Sequence, residues 1–389
     1  MYNILTLNNI SGEGLKRLPA DLYDVSDTAE NPHGILVRSF KMHDMELGAQ
    51  LEAVARAGAG VNNIPIDKLS DRGIPVFNAP GANANAVKEL VIGSMLLAAR
   101  NLLHAWEYTQ QLDGEGDELS KAVEAGKKKF VGYELPGRTL GVVGLGAIGV
   151  RVANAAHDLG MNVIGFDAKV SVERAWELSA GVEQARSLND LLSRSDMVSL
   201  HVPLLDATRN LVNADGISRM PKGSVLLNFA RDPIVDEDAV LKSLADGHLG
   251  RYVTDFPNRK VLGNDKVLTL PHLGASTEEA EVNCAIMVAE NMRKYLEDGI
   301  VRHSVNFPEA DLPRTTPHRL TIVNRNVPNM VGQISTAIAN ASLNIEDLLN
   351  KSQGELAYTI VDLDAPVTDA VLEEIRAIDG VLRVRNLGA

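Results

Sequence analysis

The chain is predicted to be α/β, with a Rossmann-type dinucleotide domain, a flavodoxin-like substrate domain and a ferredoxin-like βαββαβ module at the C-terminus. Three observations carry that expectation. The stretch T-L-G-V-V-G-L-G-A-I-G-V-R-V-A-N-A-A-H-D-L-G-M-N-V-I-G-F-D, Thr139 to Asp167, places a strand pattern, Gly144-x-Gly146-x-x-Gly149, a helix pattern and a second strand pattern in order. Four more short apolar runs follow at regular spacing, several separated by helical patterns, as a parallel sheet with crossover helices requires. From Arg319 onward the patterns read strand, helix, strand, strand, helix, strand.

Each part of the glycine stretch has a physical role. Leu140 to Val143 reads as a buried strand, and Val163 to Phe166 as the next one. Gly144 permits a tight turn, Gly146 lets backbone approach a pyrophosphate, and Gly149 lets the helix from Ile148 to Leu159 pack close to the strand. The helix start offers free N–H groups and the positive end of its dipole to phosphates. Asp167 can accept hydrogen bonds from a ribose diol, which favours NAD as cofactor over its 2′-phosphorylated relative.

The remaining elements follow in chain order. Residues 1–92 alternate short apolar runs (Ile4–Leu7, Ile35–Val37, Leu51–Ala57, Val76–Asn78) with helical stretches, and a helical pattern then extends from Val87 to Gln111. Strand patterns at Met197–Leu200, Val225–Asn228, Arg251–Thr254 and Val267–Leu270 end on or near His201, Arg231, Asp255 and His272. Ligands bind outside the carboxyl ends of strands in open α/β sheets, so these four side chains are expected to project toward one cleft. A helix from Thr277 to Asp298 is expected to return to the first domain, and the proline-rich 306–317 stretch reads as a linker. The expected division is 1–92 with 281–310 for substrate, 93–280 for NAD, and 318–389 for the C-terminal module.

Composition excludes several classes. A net charge of −13 argues against nucleic acid and anionic membranes as partners. It also means that arginines gathered at one pocket of such an acidic chain point to an anionic ligand. No apolar run approaches the roughly 20 residues of a membrane helix. The chain opens directly on a strand pattern, so no signal peptide is expected, and its single cysteine, Cys284, leaves no disulfide framework or multi-cysteine zinc site. A cytoplasmic protein without a metal is expected.

The motifs together resemble the D-2-hydroxyacid dehydrogenase family, most closely its phosphoglycerate-oxidising branch with a C-terminal ACT domain. The resemblance covers nearly all the chain: R-A-G-A-G-V-N-N-I from Arg56, N-A-P-G-A-N from Asn78, G-L-G-A-I-G from Gly144, H-V-P-L from His201, N-F-A-R-D-P-I-V-D-E from Asn228 and P-H-L-G-A-S-T from Pro271. It implies catalytic roles for Arg231 and His272. An imidazole with a pKa near neutrality suits removal of a hydroxyl proton, and a planar guanidinium matches a carboxylate bidentately. It implies cofactor contacts at Gly144, Gly146, Ala147, Ile148, Gly149, Asp167, His201, Val202, Pro203, Phe229, Ala230, Asp255 and Gly274, with His201 as cofactor wall and Asp255 orienting the nicotinamide amide. Substrate contacts are implied at Arg38, Ser39, Arg56, Gly58 and Asn83. The glycines of the Arg56–Val61 loop can turn N–H groups toward a carboxylate, and Arg38 and Arg56 match positions that face a substrate phosphate.

The implied reaction is NAD-dependent oxidation of 3-phosphoglycerate at the entry to serine synthesis. A hydroxypyruvate or glyoxylate reductase and a non-catalytic NAD-linked amino-acid sensor stand as alternatives. The resemblance further implies a homodimer through the Val87–Gln111 helix, a homotetramer through paired ACT domains, and an L-serine site at Asn326 and Asn344. The turn N-V-P-N-M-V-G from Asn326 carries Asn329 where the family has glycine, and Asn tolerates positive φ.

One departure concerns the chemistry. The family carries D-V-F-x-x-E-P, whose glutamate pairs with the catalytic histidine, whereas this chain reads D-F-P-N-R-K-V-L-G-N-D-K from Asp255. Arg259 or Lys260 stands at the glutamate position. Asp265 across a loop, Lys260 itself, or no partner at all are the options for His272. A milder departure is Asp232, which follows Arg231 where glycine is common.

Overall fold

The computed structural model describes residues 1–388. The chain forms two compact units, one from Met1–Asn83 together with the residues from Thr277 onward, the other from Ala84–Ser276.

In the first unit, β1 (Tyr2–Leu7), β2 (Tyr23–Ser26), β3 (Gly34–Val37), β4 (Ala53–Arg56) and β5 (Val76–Phe77) lie parallel in the order β2-β1-β3-β4-β5. That is the flavodoxin-like order. Every residue of β3 is buried, because a parallel strand is covered on both faces. Leu36 packs among Cys284, Val288 and Met292 of the helix Glu278–Asp298, whereas Ile35 and Val37 pack with Leu51, Leu69 and Val76. The helix opens on Thr277, whose hydroxyl accepts the Ala280 N–H at 3.1 Å, and closes on Gly299 in the left-handed region.

In the second unit, β6 (Thr139–Val143), β7 (Asn162–Phe166), β8 (Val182–Gln184), β9 (Met197–Leu200), β10 (Val225–Asn228), β11 (Arg251–Thr254) and β12 (Val267–Thr269) form one parallel sheet, ordered β12-β11-β10-β9-β6-β7-β8. The order reverses at β6, the doubly wound arrangement, and the glycine turn sits at that switch point. The sequence pattern from Val87 to Gln111 differs from the structure. Helix Ala84–Arg100 stops at Asn101, which adopts φ 52°, and a second helix, Leu102–Gln110, starts beyond it. The Asn101 side chain is taken up by Arg251 and the Val131 carbonyl, which holds the break. The expected division at residue 92 falls inside the first of these helices, whose Val87, Val91, Met95 and Ala99 pack against Leu140 and Val150 of the second unit.

The C-terminal sheet also belongs to the first unit. It pairs β13 (His318–Arg325), β14 (Ile345–Gln353), β15 (Leu356–Leu363) and β16 (Val381–Asn386) antiparallel in the order β14-β15-β13-β16. Leu320, Ile322 and Val361 face its own two helices. The opposite face, with Val323, Tyr358 and Ile360, enters one core with Tyr295, Leu296 and Phe307. The proline-rich stretch is therefore not a loose linker, since Phe307 and Ala310 are each 1% exposed. At Asn329 the backbone takes φ 65° and starts helix Met330–Asn340, so asparagine supports the turn that glycine usually makes. No helix among the described residues is long and apolar enough to cross a membrane.

Candidate active site

The glycine turn is shaped by contact. Gly144 has φ 93°, and a Cβ there would lie 2.6 Å from the His201 carbonyl oxygen. A Cβ on Gly149 would lie 1.8 Å from the Gly144 carbonyl oxygen, so both positions require glycine. A Cβ on Gly146 would meet nothing within 4 Å, which leaves open space at the start of helix Ala147–Asp158, where a pyrophosphate fits. Ala147 and Ile148 form the first helical residues. The Asp167 carboxylate accepts N–H groups from Leu145 and Lys169, each at 2.7 Å, and keeps lone pairs for a ribose diol.

The strand ends bring the next residues to the same end of this sheet. His201 follows β9, its ring nitrogen Nε2 2.8 Å from the Ser199 hydroxyl. Burial pushes its pKa down to about 3, so the ring is neutral at physiological pH. Val202 lies against Gly144, while the Pro203 carbonyl accepts the Thr208 hydroxyl at 2.7 Å. Phe229 and Ala230 are buried at the end of β10. Asn228 fixes the loop after them, its side chain accepting the Ala230 N–H and donating to the Arg231 carbonyl. Arg231 is exposed, one Nη donating to the Ala230 carbonyl at 2.7 Å.

Asp255 follows β11 and is 2% exposed, with Oδ1 lacking any hydrogen-bond partner. An unpaired buried acceptor of this kind calls for a donor, and the amide of a bound nicotinamide is a fitting one. Burial raises the Asp255 pKa, and the charges of His272 and Arg231 oppose that rise. His272 is exposed on the loop after β12, and the Phe256 ring meets it edge-on at 5.0 Å between centroids. Gly274 packs two residues further along that loop, its Cβ position 3.2 Å from Val87 and 3.9 Å from Asp255 Oδ2.

Lys260, at the missing-glutamate position, turns elsewhere. Lys260 donates to both Asp238 oxygens at 2.8 and 2.9 Å, and Asn258 donates to both Glu237 oxygens. The Asp265 carbonyl accepts from Arg251. Asp232 is half-buried beside Glu237, whose carboxyl is raised by burial, lowered by Asn258 and raised again by the Asp232 charge. Lys260→Ala is expected to hold kcat/KM within roughly two-fold of wild type, as befits an exposed ion pair; a steady-state assay of the variant checks it.

In the first unit, the two expected arginines stand at neighbouring strand ends, Arg56 closing β4 and Arg38 just after β3. Arg56 Nε donates to the Arg38 carbonyl at 3.0 Å, and Arg38 Nη2 reaches Glu281 Oε1. Gly58 has φ 155°, and a Cβ there would lie 2.2 Å from Arg56 Nη1, so glycine makes room for the guanidinium. The N–H groups of Ala57 and Gly58 bond Val37 and Arg56, while those of Ala59, Gly60 and Val61 donate to no group among the described residues. Ser39 donates through N and Oγ to Asn8. Asn83, half-buried, closes the N-terminal segment of this unit. Within one chain the structure does not bring Asn326 and Asn344 together. Asn326 bonds the Gly354 carbonyl at one end of the C-terminal sheet, and Asn344 bonds Glu346 and Asp364 at the other. Sequence reasoning missed Phe256 and Glu281. Phe256 follows Asp255 in a stretch read for its charged residues, and Glu281 is one of three acidic residues in a first helical turn.

The family model for the D-isomer specific 2-hydroxyacid dehydrogenase NAD binding domain matches residues 92–274. The chain is 33% identical to the D-3-phosphoglycerate dehydrogenase of Haemophilus influenzae over 97% of this chain and 90% of that protein. It is 34% identical to the D-3-phosphoglycerate dehydrogenase of Escherichia coli (strain K12), covering 91% of this chain and 86% of that one. The chain belongs to the D-isomer specific 2-hydroxyacid dehydrogenases and is an NAD-dependent oxidoreductase. Among solved structures it resembles the NAD+-bound 3-phosphoglycerate dehydrogenase of Entamoeba histolytica, with a TM-score of 0.59 and 26% identity over 78% of this chain and 98% of that one.

Proposed function

We propose that this enzyme oxidises D-3-phosphoglycerate to 3-phosphohydroxypyruvate, the entry step of serine synthesis. The observation that carries the substrate is the Arg38–Arg56 pair, two arginines at neighbouring strand ends of an acidic protein, with Arg56 Nε donating to the Arg38 carbonyl. A phosphate accepts bidentately from such groups, whereas an unphosphorylated hydroxyacid has no use for them. Arg231 holds the substrate carboxylate, and His272 in its neutral form takes the C2 hydroxyl proton. Bound NAD supplies the hydride acceptor. Asp255 holds the nicotinamide amide, and the charge of His272 opposes the burial-driven rise of its pKa. His201, neutral and tied to Ser199, serves as cofactor wall rather than proton carrier.

A homodimer through helix Leu102–Gln110 is supported by its exposed apolar residues, Trp106 at 62% and Leu102 at 45%. A serine site would then require two C-terminal sheets, with Asn326 from one and Asn344 from the other. A cytoplasmic location fits the single, buried cysteine. Arg38→Ala tests the substrate assignment. Loss of a hydrogen bond to a charged group is expected to raise KM for D-3-phosphoglycerate about ten- to hundred-fold while leaving KM for D-glycerate unchanged. Equal effects on both substrates would refute the phosphate role.

A further inference from the structure

The assigned site leaves Glu281 without a role. It stands in the first turn of helix Glu278–Asp298, and its Oε1 lies 2.5 Å from Arg38 Nη2. Neither side chain is buried, at 36% exposed for Arg38 and 43% for Glu281, so solutes reach both. The other neighbour on this helix face, Cys284, is buried, and burial pushes its thiol pKa up, which keeps it uncharged. Burial, and beside it the charge of Arg38, lower the Arg56 pKa. Arg38 is thus the guanidinium that Glu281 caps, while Arg56 Nε is held by the Arg38 carbonyl.

We propose that Glu281 is a specificity determinant, a built-in competitor that caps Arg38 until a dianionic phosphate displaces it. The inference rests on the reading of Arg38 and Arg56 as phosphate ligands. A phosphomonoester brings two charges and three acceptor oxygens against one carboxylate, so it wins the guanidinium fork. A hydroxyacid without phosphate has only its carboxylate, which Arg231 holds in this reading, and so no second anion to release the cap. Discrimination then comes from what the free site rejects as well as from what it binds. Displacement costs little. The carboxylate returns to water at a helix N-terminus, where its charge is favourable, and the Thr277 hydroxyl already satisfies the nearby Ala280 N–H.

The test is competitive inhibition of the D-3-phosphoglycerate reaction by inorganic phosphate in wild type, Glu281→Gln and Arg38→Ala, with thermal melting to verify the fold. Uncapping Arg38 is expected to tighten the phosphate inhibition constant of Glu281→Gln roughly two- to five-fold, the worth of an exposed ion pair, and to lower KM for the phosphorylated substrate in parallel. An unchanged or weaker inhibition constant in Glu281→Gln would overturn the proposal, since Glu281 would then be inert or would hold Arg38 in its binding pose. Arg38→Ala separates the two levels. If it leaves phosphate inhibition as in wild type, the phosphate reading itself fails; if it weakens inhibition while Glu281→Gln changes nothing, only the competitor fails.

Discussion

His272→Ala is expected to lower kcat/KM by about two to four orders of magnitude, the range for loss of a positioned acid/base. The expectation follows from the disposition of the second unit. His201 is neutral and hydrogen-bonded to Ser199. Lys260 is engaged by Asp238. His272 stands exposed in a loop with the Phe256 edge beside it. Because the side chain is exposed, its removal creates no cavity, and the variant should melt as wild type does. Initial rates of NADH formation read the loss. A variant that retains wild-type turnover would move the proton-transfer role to another group.

The second large effect concerns the docking of the C-terminal sheet. Arg319 and Asp362 are both 0% exposed and meet through two hydrogen bonds, 2.6 and 2.7 Å, and a second arm of Arg319 donates to the Asp298 and Leu312 carbonyls at 3.0 Å. Arg385 works in parallel, donating to the Tyr295 and Leu296 carbonyls and pairing with Glu52 at 2.7 Å. Asp362→Ala leaves a guanidinium buried without its counter-charge, and such a loss costs about 3–5 kcal/mol. Replacing both partners with apolar residues of similar volume should recover much of that, because the desolvation penalty disappears with the charges. Thermal melting of the whole chain distinguishes the single from the double variant.

The same site sets an acid limb. Burial alone would raise the Asp362 pKa, but the Arg319 fork and the Thr315 hydrogen bonds outweigh it, so the pKa is lowered. A folded pKa below the unfolded one means that this stabilisation is present above the ordinary aspartate value, about 3.9, and is lost as pH falls through the folded value.

Strands covered on both faces were legible in the sequence, because near-continuous apolar runs such as Gly34–Val37 and Met197–Leu200 leave neither side of the strand for water. Two of the edge strands were not. Tyr23–Ser26 and Val182–Gln184 carry polar residues on an open side and leave no run to detect. The helix break at Asn101 was hidden for another reason. It depends on Arg251, which lies far along the sequence. At the site, residue types and strand-end positions marked His272, Arg231 and Asp255, but the cap on Arg38 was not visible. An ion pair between residues 38 and 281 depends on how a distant helix folds back, and no local pattern encodes that. The C-terminal docking face was missed likewise, since Phe307 lies among prolines that read as a linker.

The most direct test compares kcat/KM of the wild-type enzyme for NAD-dependent oxidation of D-3-phosphoglycerate and of D-glycerate, followed as NADH formation. A preference for the phosphorylated substrate of about ten-fold or more is expected from charge-assisted contacts to its phosphate. Equal rates on the two acids, or a preference for the unphosphorylated one, would contradict the assignment.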